Sequence, residues 1–180
     1  MSKNMPKVRQ KPDFSDEVYT DLTDKFSSHL QAPYPPYVRE APAVFIRKDR
    51  IFMLTSGTTG YYPNATLVHD ITELHGSWKE IGNPCREDKN KNSFRSQFSS
   101  VFKIPDKDTY IALGDRWLTD LPEDLPDMDD IFYKIFKEGA SIDFSDFSDE
   151  NTSLATYVWL EGKFDEKDQP FIEWQRSWRY

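Results

Sequence analysis

Eight short runs of strand-forming residues, set out as two similar quartets, constrain this chain more than any other feature. A-V-F-I-R (43–47) and I-F-M-L-T-S (51–56) flank the turn K-D and read as a hairpin. A-T-L-V-H-D (65–70) and S-W-K-E-I (77–81) follow, separated by a Gly-containing loop. The second quartet opens with S-S-V-F-K-I (99–104) and D-T-Y-I-A-L-G-D-R (108–116), a hairpin around P-D-K. It resumes after a long Asp-rich insertion, 119–151, with A-T-Y-V-W-L-E (155–161) and P-F-I-E-W (170–174), paired around D-E-K-D-Q. The quartets stand about 55–60 residues apart, and four-stranded units repeating at a fixed period are the signature of β-propeller blades.

The apolar residues alternate or run in short blocks, with no long stretch keeping a 3.6 period, so the fold class is all-β. I-F-Y-K-I-F-K (131–137) inside the insertion is expected to form a short helix. Residues 1–17 are polar and are expected to be a loose terminus, with the β-domain over 18–180. V-Y-T-D-L-T-D-K-F (18–26) reads as an edge strand of a preceding blade. Q-A-P-Y-P-P-Y (31–37), with three prolines in four positions, reads as an extended connector. The expected architecture is therefore about two complete blades plus part of a preceding one. Propellers typically need at least four blades to close, so an isolated pair would leave a hydrophobic sheet face bare.

Composition narrows the partners. The net charge of −8 argues against nucleic acid or an anionic membrane, both of which call for a concentrated basic surface. Aromatics are 15% of the 180 residues, including five Trp and nine Tyr. Such side chains fill β-cores, and they also stack on sugar rings. A single cysteine, Cys85, leaves no internal disulfide and no Cys-based zinc site. The start M-S-K-N-M-P-K-V-R-Q lacks the apolar core of a signal peptide. D-F-S-D-F-S-D-E (143–150) lacks the spacing of a calcium loop. His29, His69 and His75 lack ligand spacing and are expected on the surface or in loops. No metal and no cofactor is expected.

Several residues carry candidate chemistry. T-S-G-T-T-G-Y-Y-P-N (55–64) has no G-K-[ST] ending and no following helix, so it is not a phosphate loop. It reads as a tight loop bringing Tyr61, Tyr62 and Asn64 towards a pocket. Glu40 precedes A-P and a strand, at the mouth of the innermost strand of its blade. Two readings stand open there. A carboxyl pointing into a channel among aromatics has the raised proton affinity of a general acid, and an exposed Glu would pair with Arg39. Gln97 and Arg95 hold the equivalent place before the next blade. Asp115, Arg116 and Trp117, in G-D-R-W, offer hydroxyl bonding and stacking.

R-E-A-P-A-V-F, T-S-G-T-T-G-Y-Y-P-N, G-S-W-K-E-I-G-N-P, S-F-R-S-Q-F-S-S-V-F, G-D-R-W and Y-V-W-L-E, in unbroken order over 18–180, resemble glycoside hydrolase family 43. Within it they look like the exo-β-1,3-galactanase-like branch. The resemblance implies the C-terminal portion of a five-bladed β-propeller that hydrolyses O-glycosyl bonds of galactan- or arabinan-like saccharides with inversion. It implies that Glu40, in the E-A-P position, is the proton donor. Gln97, in the S-Q position, matches a glutamine proposed in that branch to activate water. Members are often secreted. Most supply an aspartate base and a second carboxylate from blades that would lie upstream of residue 18, and Asp13 and Asp16 lack that strand context. The expectation is thus a chain inactive by itself, needing further blades or a second chain to close the propeller, or a non-catalytic saccharide-binding remnant.

Overall fold

The computed structural model describes residues 39–72, 76–122, 125, 127–141 and 151–177. The strand, connector and terminus expected within 1–38, the acidic run at 143–150, and His29 and His75 lie outside them.

Eight strands form two four-stranded antiparallel meanders. The first sheet runs β1 (Arg39–Arg47), β2 (Arg50–Gly57), β3 (Leu67–Ile71) and β4 (Lys79–Gly82) in spatial as well as chain order. The second runs β5 (Gln97–Lys103), β6 (Tyr110–Arg116), β7 (Thr156–Phe164) and β8 (Pro170–Ile172) in the same way. These are the two quartets of the sequence, and the sheets are two blades of a partial propeller. The insertion between β6 and β7 carries α1 (Met128–Glu138) and a single 3₁₀ turn, Thr152–Leu154, capped by the Asn151 side chain.

Period-2 alternation decides which side chains meet. In β1, Ala43, Phe45 and Arg47 are buried while Val44 and Ile46 are exposed. Ala43, Phe45, Phe52, Leu54 and Val68 of the first sheet pack against Phe98, Tyr110, Ala112, Val158, Leu160 and Ile172 of the second. Phe45 stacks on Phe52 at 5.3 Å, and Tyr110 meets Phe164 edge-on at 5.1 Å. Gly114 is required by this closeness. A Cβ there would stand 3.1 Å from Val158 Cγ1 and 3.2 Å from Phe98 Cδ1. A second cluster, Tyr62, Leu118, Met128 and Ile131, seats α1 beside the loop after β2.

The far face of the second sheet exposes Tyr157, Trp159 and Phe102, the last two in T-shaped contact. His69 differs from the expected surface position. It lies in β3, opposite Met53 and Glu80, and is only 6% exposed. Alternation turned it into a covered face, where burial lowers its proton affinity.

Candidate active site

Glu40 and Gln97 occupy equivalent positions in the two blades. Glu40 sits near the start of β1, opposite Ser56, and Gln97 starts β5, opposite Asp115. Each is followed by a bulge, between Glu40 and Ala43 in one strand and between Phe98 and Ser100 in the other. Bulges re-aim side chains at the rims of sheets. Ala41 takes the left-handed conformation at φ +49°, an unfavourable one for alanine, in the residue next to Glu40.

Gln97 is delivered by a more unusual segment. Ser93, Phe94 and Arg95 are all left-handed, at φ +56°, +56° and +64°. Three such residues in succession are held by side chains. One Asp88 carboxylate oxygen accepts from the backbone N–H groups of Asn92 and Phe94, at 2.7 and 3.1 Å. Asn92 Oδ1 accepts from Arg95 N at 2.9 Å, and Ser93 Oγ donates to the Asn64 carbonyl at 2.7 Å. The sequence reading treated 93–97 as the approach to a strand and missed this turn. The D-x-x-x-N-S run, Asp88 to Ser93, was its only signal, because short polar side chains of this kind cap backbone N–H groups locally.

The two candidates meet. Gln97 Nε2 donates to Glu40 Oε1 at 2.9 Å and to Ser56 Oγ at 2.8 Å, and Trp117 Nε1 donates to Gln97 Oε1 at 3.1 Å. Glu40 is half-buried and has no ion pair among the described residues. Arg39 does not serve it. Its guanidinium turns to the carbonyls of Thr55 and Ala65, at 2.8 and 2.9 Å, and to Thr55 Oγ1 at 3.2 Å.

The remaining candidates line one cleft beside Gln97: Tyr61, Tyr62, Asn64, Arg95, Asp115 and Trp117. They differ in what they leave free. Tyr61 is exposed and lies against Trp117 at 5.7 Å, which makes an aromatic corner. Tyr62 is buried in the cluster that seats α1. Asn64 is buried and spends its amide on the loop, accepting from Gly57 N at 2.7 Å and donating to Gly57 O and Thr59 Oγ1. Arg95 donates to the carbonyls of Thr119 and Leu121. Arg116 turns away from the cleft, donating to Phe94 O at 2.7 Å and stacking over Trp174. The cleft measures ≈10 Å³, about the space of one water, so a sugar ring would have to lie against its mouth. Among the described residues no three His, Cys, Asp or Glu side chains are placed to hold a metal.

Two antiparallel four-stranded meanders, packed face to face with their first strands adjacent and polar side chains at the mouths of those strands, define two blades of a partial β-propeller. Solved structures carry the comparison further. A GH43 β-1,3-galactosidase solved with galactodeoxynojirimycin superposes with a TM-score of 0.60 at 25% identity, over 79% of this chain and 32% of its own. A second GH43 β-1,3-galactosidase gives 0.57 and 26%, over 78% of this chain and 23% of its own. An exo-β-1,3-galactanase from Clostridium thermocellum shares the fold at 21% identity, with a TM-score of 0.52, over 76% and 24% of the two chains. No protein-family model matches the sequence, and no curated protein matches it. The chain has the fold of part of a glycoside hydrolase family 43 β-propeller. It spans about a third and a quarter of the lengths of the two galactosidases.

Proposed function

We propose that these two blades form part of the catalytic channel of a glycosidase acting on galactan- or arabinan-like saccharides, with Glu40 as the proton donor to the leaving oxygen. The observation that carries this reading is the meeting of Glu40 and Gln97. They come from equivalent positions 57 residues apart, both re-aimed by bulges, and they leave a carboxyl matched to a neutral donor instead of a cation. A general acid needs a setting that does not hold it permanently ionised. Tyr61 and Trp117 supply an aromatic corner for a sugar ring, and Asp115 a hydroxyl acceptor.

An inverting site needs a second group about 6.5–9.5 Å from the acid, across the bond, with a water between. Gln97 touches Glu40 directly, which leaves no space for the scissile bond between them. The second group is therefore assigned to blades beyond these two, and the 180-residue chain alone is expected to bind saccharide without cleaving it. The directness of that contact also favours the alternative reading, a saccharide-binding unit with no catalytic part.

The test is a titration of the chain with galactodeoxynojirimycin, read by Trp fluorescence, together with an assay on an aryl β-galactoside. Binding that weakens at least tenfold in Glu40→Gln, with no turnover, supports the reading. Turnover that disappears in Glu40→Gln would overturn the assignment of the second group elsewhere. An iminosugar that binds wild type and variant alike would remove Glu40 from the site.

A further inference from the structure

We infer that Trp117 is a positioning residue for Glu40, acting through Gln97 as an amide lock; the catalytic meaning of this rests on the glycosidase reading above. An indole N–H can only donate. The Gln97 atom 3.1 Å from Trp117 Nε1 is therefore the amide oxygen, whichever way the amide could otherwise be turned. The amide nitrogen must then face Glu40 and Ser56, and its two protons have one acceptor each, at 2.9 and 2.8 Å. Ser56 is 3% exposed and stands directly opposite Glu40 in the strand pair, so the acceptor that completes the set is fixed by β1–β2 register.

Two consequences follow from donor and acceptor counting. The amide nitrogen gives each of its two acceptors a proton, whereas an imidic-acid nitrogen, with one N–H, could donate to only one of them, so the pattern of partners matches the amide. Gln97 in this setting donates a hydrogen bond to Glu40. Second, Glu40 Oε1 is occupied as an acceptor, while Oε2 has no hydrogen-bond partner among the described residues. Oε2 is thus the oxygen left open to a ligand. Trp117, which sequence reasoning assigned to sugar stacking, has its ring polarity used inwards, and Tyr61 is the more exposed partner of the aromatic corner.

The experiment is nitrogen-15 NMR of the Gln97 side-chain amide in the full chain, its signals assigned by their loss in Gln97→Leu. Trp117→Phe keeps the ring and removes the donor. The expected result is faster exchange of the Gln97 amide protons with water, by about fivefold, the size of one net hydrogen bond. Tyr61→Ala, which strips the aromatic neighbour and keeps the donor, should leave that exchange unchanged. Equal exchange in wild type and Trp117→Phe, with the melting temperature retained, would overturn the lock. So would faster exchange in Tyr61→Ala by the same factor, since this reports simple opening of the cleft.

If Trp117→Phe does not fold, the reciprocal measurement carries the test. The Trp117 indole N–H should exchange faster in Gln97→Leu than in wild type, and an unchanged rate would overturn the lock. Galactodeoxynojirimycin separates this from the functional reading. An iminosugar that shifts neither the Glu40 nor the Trp117 signals counts against the glycosidase site, while the exchange rates still decide the lock.

Discussion

The two ends of β1, a strand of nine residues, treat charge in opposite ways. At one end Arg47 is almost buried between the sheets. It bonds Asp168 at 2.8 Å and also Asp108, and its guanidinium lies 3.9 Å from the centre of the Phe164 ring. Arg50 beside it pairs with Asp70 and donates to the Asp168 carbonyl at 2.9 Å. At the other end Glu40 meets only the neutral amide of Gln97. Arg47 and Arg50 are both matched by carboxylates, and the Arg47 pairs span both sheets, so that end holds the blades together. The Glu40 end leaves a carboxyl with one oxygen unpartnered among the described residues, next to a left-handed Ala41, and this is the setting on which the proposed acid role rests.

The largest effect should come from the apolar stretch between the two ends, which both depend on. Phe52 is fully buried against both Phe45 and Phe164, and Phe52→Ala is expected to cost about 3–5 kcal/mol in urea unfolding. Loss of under about 1 kcal/mol would show that the two sheets are not one cooperative core.

Arg47→Ala comes next, at about 2–3 kcal/mol, because it leaves Asp168 to the exposed Lys48 alone and uncovers Phe164. It also has a pH signature. Arg47 holds the carboxyls of Asp168 and Asp108 below their ordinary value of 3.8. Their contribution is present above that value and is lost as pH falls through the lower folded one. The acid limb of wild-type stability below about pH 4 should therefore flatten in Arg47→Ala.

At the Glu40 end, Gln97→Glu sets a second carboxylate against the first. The expected cost is about 1–2 kcal/mol at neutral pH, recovered on acidification as the pair takes up a proton. Glu40→Gln removes the charge with little change of shape. Stability should move by less than about 1 kcal/mol, while saccharide binding falls as described above. A large stability loss in Glu40→Gln would erase the contrast between the two ends and make Glu40 structural.

The smallest expected effect lies in β3. Burial lowers the proton affinity of His69 from its ordinary pKa of 6.5, with Glu80 opposing and Arg39 adding to the shift. The unfolded chain takes up that proton first as pH falls below 6.5, so stability should decline from there to the lower folded value and then level. His69→Gln should flatten that slope in thermal melts, and an unchanged slope would assign it to another group.

The sequence carried the strands because their information is local. Alternation in A-V-F-I-R and the turn residues at K-D, P-D-K and D-E-K-D-Q are all read within a few residues. The helical run at 131–137 lies inside α1 for the same reason. Asn64 and Tyr62 were legible as members of the loop beside the site, but not in their roles. A side chain's identity does not say whether its polar atoms are spent on its own loop.

By itself, then, the sequence determined an all-β chain of two four-stranded repeats, with Glu40 and Gln97 singled out at matching positions. Only the tertiary structure decided that those two side chains touch, that Trp117 faces the amide oxygen, and that Arg39 turns away from Glu40. The physical reason is separation along the chain. Contacts between residues 57 apart are set by how one sheet packs on another, by a bulge in each first strand and by three left-handed residues before β5. None of these leaves a periodic trace in the sequence.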